Sequence, residues 1–145
     1  MRVDFYHLTR DPPEKVIPAL AQRVLDSGAR LTIADEDEAR RRKIGEGLWQ
    51  AGPETYLAHG DAGGEDADLQ PILIGAEPDT ANGATMALLA DGRWRAQALS
   101  FDRAFYLFSA DTIDGARAAW KALGEQQGVD RHYWKQQDGK WVEGP

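Results

Sequence analysis

Apolar and polar positions first alternate, then switch to helical spacing, then switch back. Val3-Asp4-Phe5-Tyr6-His7-Leu8 has the two-residue period of a strand. Asp11-Pro12-Pro13 stops it and opens a helix, since proline is tolerated in a first helical turn. Ile17, Leu20, Ala21, Val24 and Leu25 recur at three- and four-residue intervals and form one helical face. Pro18 moves the expected start of regular helix to about Val16, and Gly28 supplies a stop. Arg30–Ala34 reads as a short buried strand. Asp35-Glu36-Asp37-Glu38 then opens a second helix reaching about Gln50, with carboxylates complementing the positive end of the helix dipole. Gly52-Pro53 ends it.

His59 to Asp68 is rich in glycine and acid and reads as a mobile loop. Pro71–Ile74 is a buried strand, Asp79–Gly83 a turn, Thr85–Leu89 a strand and Arg103–Phe108 another. Ile113–Gln127 is expected as a helix and Tyr133–Glu143 as a hairpin around Asp138-Gly139, a dipeptide that tolerates a two-residue turn. Parallel neighbours need crossovers, so this alternation predicts a single domain, residues 1–145. Its class is α/β, a three-layer α/β/α sandwich with a Rossmann-like, mostly parallel sheet and a C-terminal hairpin.

Composition narrows the function classes. The 145 residues contain no cysteine, which removes disulfides and thiolate metal sites and fits a reducing, cytoplasmic setting. No signal peptide or bilayer-length apolar run is present, so no membrane association is expected. A net charge of −7 argues against direct nucleic-acid binding, which needs a basic face. The acid is concentrated, however. Glu54 to Gly92 holds eight carboxylates and no Lys or Arg, and reads as a solvated acidic region that leaves the remainder nearly neutral. Room for a local positive patch remains, and the last third of the chain interleaves cations with aromatic residues from Arg103 to Val142.

Catalytic motifs are missing. The first strand-to-helix turn, His7-Leu8-Thr9-Arg10-Asp11-Pro12-Pro13, has no glycine to cradle a phosphate. His7, His59 and His132 lack ligand spacing and read as ordinary strand-end or loop histidines, and no serine sits in a nucleophile elbow. Asp35 and Asp37 are the one candidate pair for a hard cation, against a helix-capping role for the same residues. No cofactor is expected.

Several ordered motifs resemble one family. Arg30–Glu38 is followed by a helix ending Glu46-Gly47-Leu48-Trp49, then Pro53, Tyr56 and His59. Further on come the Pro71–Ile74 strand, the aromatic strand Phe101–Phe108, Arg117-Ala118-Ala119-Trp120-Lys121, and Tyr133-Trp134-Lys135-Gln136-Gln137-Asp138. Together these resemble the chi subunit of the bacterial DNA polymerase III holoenzyme. The resemblance implies a non-catalytic replication adaptor. Such a protein binds the acidic C-terminal tail of single-stranded DNA-binding protein, which ends in a Pro-Phe carboxylate, and joins the clamp loader through the psi subunit. It implies a tail pocket formed by Trp49, Tyr56, Arg117, Trp120 and Lys121. Two departures stand out: Ile113 occupies a position where the family often has a cation, and the alignment needs one extra residue between Lys121 and Gly128.

The residue chemistry agrees with that implication. Arg117 and Lys121, four apart, project from one side of a helix, and an arginine grips a carboxylate bidentately. Trp120 fits both a core position, with Ile113, Ala116 and Leu123, and a pocket wall. Trp49 lies off the buried stripe of Ile44 and Leu48, and Trp134 and Trp141 sit diagonally across the hairpin, where they pin it. The competing class is a small metal-dependent α/β enzyme acting on a nucleotide or phosphoester through Asp35 and Asp37.

Overall fold

A computed structural model describes residues 1–51, 57–138 and 140–144. Seven parallel strands and one antiparallel strand form a single sheet in the order β3-β4-β2-β5-β6-β1-β7-β8. The strands are β1 (Arg2–His7), β2 (Leu31–Ala34), β3 (Gly60–Asp61), β4 (Ile72–Gly75), β5 (Met86–Leu89), β6 (Arg103–Phe108), β7 (Asp130–Gln137) and β8 (Lys140–Glu143). The helices α1 (Pro13–Asp26) and α2 (Glu38–Gln50) cover one face, and α3 (Ile113–Gly124) covers the other. This is the expected α/β/α sandwich.

Strand parity assigns the two cores. Tyr6, Leu31, Ile33, Ile72, Ile74, Leu88, Phe105 and Leu107 pack against α1 and α2. Val3, Phe5, Ala34, Leu89, Ala104, Tyr106 and Phe108 pack toward α3. Burial on both faces explains why these strands read as short, nearly continuous apolar runs.

The local boundaries differ from expectation in four places. First, α1 begins at Pro13 rather than Val16, with Pro18 inside it. Pro18 has no N–H for the Glu14 carbonyl and displaces that carbonyl sideways. The displaced oxygen is received by α2, where a Cβ on Gly47 would lie 2.6 Å from it. Second, the expected loop from His59 to Asp68 contains β3, which pairs with the otherwise bare edge of β4, and a 3-10 turn at Ala67–Leu69. Third, α3 ends at Gly124, not Gln127, because Arg131 donates to the last-turn carbonyl of Trp120 at 2.7 Å and its guanidinium lies against Gly124. Fourth, the hairpin starts at Asp130, and its first strand runs parallel to β1 for six residues.

Two acids of the supposedly solvated stretch are ion-paired. Asp91 meets the buried Arg95 guanidinium at 2.8 Å, and Glu77 meets Arg95 at 2.8 Å and also pairs with Arg93. Asp35 and Asp37 serve the start of α2. Asp37 accepts from the Arg40 N–H at 3.1 Å as N-cap, while Asp35 accepts from the Asp37 N–H at 2.9 Å and from Arg40 Nε at 2.5 Å. The turn expected at Asp79–Gly83 belongs to a connection tied to β2 by the Asp79 N–H donating to Thr32 and by Asn82 donating to the Leu31 carbonyl.

The charge that organises the right half of the sheet is Asp4, fully buried on β1. It accepts from Arg2 on its own strand, from Arg103 Nε of β6 at 2.7 Å and from Trp134 Nε1 of β7 at 2.9 Å. Burial raises its pKa, but the hydrogen bonds from Arg2, Trp134 and Arg103 outweigh that and hold the carboxyl below its usual range. The Trp134 ring stacks on Tyr6 with centroids 6.1 Å apart, and Trp141 meets Tyr6 edge-on at 5.0 Å, so both tryptophans do pin the hairpin.

Two stability outcomes follow from this geometry. Gly47→Ala should lower the unfolding free energy by roughly 1–3 kcal/mol, read as a lower urea midpoint, despite alanine's better helix propensity. Gly45→Ala, whose new Cβ meets nothing nearer than His59 Nε2 at 3.4 Å, should be near neutral; equal midpoints for the two variants would refute the close-packing account. Asp4 has a depressed folded-state pKa, so its contribution is present above the unfolded value of about 4 and is lost as pH falls through the folded value. Asp4→Asn should therefore cost roughly 2–3 kcal/mol near neutral pH and flatten the acid limb of stability between about pH 5 and pH 2. An unchanged acid limb would show that Asp4 is not a linked proton site.

Candidate functional site

An apolar depression lies beneath α3, where that helix leaves the β7 side of the sheet partly uncovered. It has a volume of about 400 Å³ and is lined by Phe5, Phe108, Ile113, Ala116, Arg117, Trp120 and Tyr133. Its helical wall is a single stripe, because Ile113, Ala116, Arg117 and Trp120 are spaced i, i+3, i+4 and i+7. Its floor follows from strand parity: Phe5 on β1, Phe108 on β6 and Tyr133 on β7 all point toward α3.

The aromatic side chains meet mainly edge to face. Phe5 and Trp120 have centroids 5.0 Å apart at 79°, and Trp120 and Tyr133 lie 6.4 Å apart at 82°. Such tilted contacts favour a rigid wall and leave ring faces for a further aromatic group. Trp120 is half-buried, so it is both a packed side chain and a pocket wall. Arg131 fixes its orientation, with the guanidinium 4.2 Å from the indole centroid as well as bonded to the Trp120 carbonyl.

Cations surround this depression. Arg117 is exposed at its lip. Lys135 stands two residues beyond Tyr133 on the same face of β7. His7 lies behind the floor, against Phe108 and Tyr133. Its ring stacks on Phe108 with centroids 4.8 Å apart at 13°, and its Nδ1 lies 3.0 Å from the Tyr133 hydroxyl. Burial, followed by the charges of Lys135 and Arg117, holds His7 below the usual imidazole range. Next to it, the Gln136 carboxamide accepts from the Thr9 and Arg10 N–H groups, both at 3.1 Å, and donates to Asp11 at 3.1 Å. This ties the β1–α1 connection to β7.

The four described residues of the five implicated by resemblance do not form one cluster. Arg117 and Trp120 share the depression. Lys121 is exposed one residue further along α3 and outside the lining. Trp49 lies on the opposite face of the sheet and is 71% exposed, edge-on to His59 at 5.6 Å. It borders a cleft of about 620 Å³ between α2 and the β3–β4 edge, with Arg41, Arg42, Asp61 and Ile74. From β4 to β1 is four strand spacings, roughly 19 Å, in addition to the thickness of the sheet. Tyr56 falls outside the described residues. The sequence reading missed Phe5, His7, Phe108, Tyr133, Arg131 and Lys135, although strand parity relative to Val3 and Ala104 held the signal for most of them.

Other chemistry has little support here. Among the described residues, no group of three or more His, Asp or Glu side chains is arranged to hold a metal ion. The Asp35 and Asp37 carboxylates are occupied by backbone N–H groups and Arg40. No helix of the described residues is long and apolar enough to cross a membrane.

Comparison with curated proteins gives no match. The family model described as DNA polymerase III chi subunit, HolC, matches residues 1–131 of the 145. The matched span takes in β1 through α3 and ends at Arg131, before Tyr133, Lys135 and the hairpin turn. A match over nine-tenths of the chain shows that this protein belongs to the chi-subunit family of DNA polymerase III accessory subunits.

Proposed function

We propose that this chain is a non-catalytic adaptor which holds an acidic C-terminal peptide tail in the depression beneath α3, the tail being that of single-stranded DNA-binding protein. The observation that carries the proposal is the depression itself: an aromatic-walled hollow with the Arg117 guanidinium at its lip. Such a hollow suits a terminal phenylalanine, whose ring enters the apolar part while its carboxylate meets Arg117 in a charge-assisted, bidentate contact. Lys135 and Lys121 supply point charges to upstream aspartates. A chain of net charge −7 gains little from bare phosphate backbone, so contact with DNA runs through the protein that carries the tail.

An adaptor needs a second surface, and the Trp49 face supports one. A tryptophan this exposed is unusual on a solvated helix, and the surrounding cleft mixes Arg41, Arg42, Glu38 and Glu46 around it. We assign this face to the clamp-loader side of the assembly, through psi where that subunit is present. The sheet separates the two surfaces, so both partners dock without competing.

A peptide with an acidic stretch ending in Pro-Phe should bind with about micromolar affinity, near −8 kcal/mol. Arg117→Ala should cost roughly 1.5–3 kcal/mol, about tenfold or more, and Lys121→Ala less, with an effect that shrinks as salt rises. Amidating the peptide's terminus should mimic Arg117→Ala, and combining the two should add little, because coupled partners are non-additive. Simple additivity in the anisotropy titration would remove Arg117 as the carboxylate receptor. Trp49→Ala should leave peptide affinity unchanged while weakening capture of the clamp-loader partner; loss of peptide binding in that variant would show that the tail uses the other face.

A further inference from the structure

We propose that His7 is a further affinity determinant of the depression beneath α3. An acidic tail entering beside Arg117 and Lys135 loads a proton onto its imidazole, so the tail binds more tightly as pH falls. This inference rests on the tail-binding reading above and goes beyond it by making the site proton-linked.

The geometry places His7 directly behind two lining residues of the pocket rather than on an unrelated strand end. It is the last residue of β1, its ring lies flat on Phe108, and its Nδ1 is in hydrogen-bond contact with the Tyr133 hydroxyl. Phe108 and Tyr133 are both lining residues. The charged groups acting on it are Lys135 of β7, its register partner, and Arg117 of α3; from β6 it receives only the Phe108 ring. With two cations nearby and no carboxylate among these neighbours, the imidazole of the empty site is neutral at neutral pH.

A tail carrying a terminal carboxylate and aspartates reverses the sign of that field. The negative charge offsets the fields of Arg117 and Lys135, and that gain outweighs the burial that also disfavours imidazolium. Proton balance is direct: His7 takes up to one proton from solvent per bound tail and returns it on release. The protonated ring donates from Nδ1 to the Tyr133 oxygen, so the Tyr133 hydroxyl turns its own proton into the pocket, toward a ligand carboxylate. Binding and protonation therefore favour each other. Affinity rises as pH falls through the bound-state pKa of His7 and levels off below its free-state value. Carboxylates of the peptide remain ionised above about pH 5 and do not confuse the window.

The test is calorimetric titration of the full-length protein with the acidic Pro-Phe peptide from about pH 8 to about pH 6, in buffers of different ionisation enthalpy. The wild type should tighten by roughly three- to tenfold and take up a fraction of a proton on binding. His7→Gln keeps a polar side chain without titrating there, and should lose both the pH dependence and the proton uptake, whatever its absolute affinity. His132→Gln, on the opposite face of the sheet and bracketed by Asp130 and Glu143, should keep both. Amidated peptide should show a smaller pH dependence. An unchanged slope in His7→Gln, or wild-type binding without proton uptake, overturns the role of His7 while leaving the tail pocket standing. Absence of peptide binding at every pH overturns both.

Discussion

A buried charge near the start of the first strand dictates how the β7 half of this protein is assembled. Asp4 has no access to water, and an unpaired carboxylate in that position would cost several kcal/mol. Its donors come from three adjacent strands: Arg2 of β1, Arg103 of β6 and Trp134 of β7. Satisfying them sets β7 in register with β1, so that Trp134 turns toward Tyr6 on one face and Tyr133 turns toward α3 on the other. The depression beneath α3 is therefore a consequence of a charge buried on the far side of the same strands. A one-residue slip of β7 would exchange Tyr133 for Trp134 in the pocket and break the ion cluster at once.

Charge distribution reconciles an acidic chain with an anion-seeking pocket. Part of the carboxylate excess is absorbed by internal pairs, such as Asp91 and Glu77 with Arg95. The cations left over near α3 are Arg117, Lys121 and Lys135, spread over a helix and a strand that are separate in sequence. Local field at a partly desolvated hollow governs recognition of a charged ligand more than net charge does. The same field bears on His7, which couples the occupancy of the hollow to pH.

The two faces of the sheet differ in shape because different elements cover them. The α1–α2 layer packs closely, with Gly47 receiving the Glu14 carbonyl that Pro18 displaces. That layer presents Trp49 near the β3–β4 edge. The α3 layer is a single helix over strands from β5 to β7, and one helix about 10 Å wide does not cover that width. The uncovered margin is the depression. An accessory subunit that bridges partners benefits from surfaces the sheet keeps apart, since each engages without distorting the other.

The sequence by itself determined the fold class and the family. Short apolar runs alternating with helical stripes require a parallel sheet covered on both sides, and the ordered motifs from Arg30 to Lys121 carry the chi-family pattern. It also specified the capping of α2 by Asp37, a contact three residues long, whereas the ring on which Trp134 and Trp141 pin the hairpin, Tyr6 of β1, is supplied only by the folded sheet. Tertiary structure alone decided the site. The resemblance implies Trp49 and Trp120 as walls of one pocket, but strand order and face separate them by a sheet. Phe5, His7, Phe108 and Tyr133 read as strand residues, and they converge only once β6, β1 and β7 are laid side by side. The helix ends show the same division: Pro18 reads as a barrier to α1 until Gly47 of another helix accommodates it. Periodicity and propensity act over a few residues and are legible along a chain. A pocket is set by the register and adjacency of residues more than a hundred positions apart, which only the folded sheet fixes.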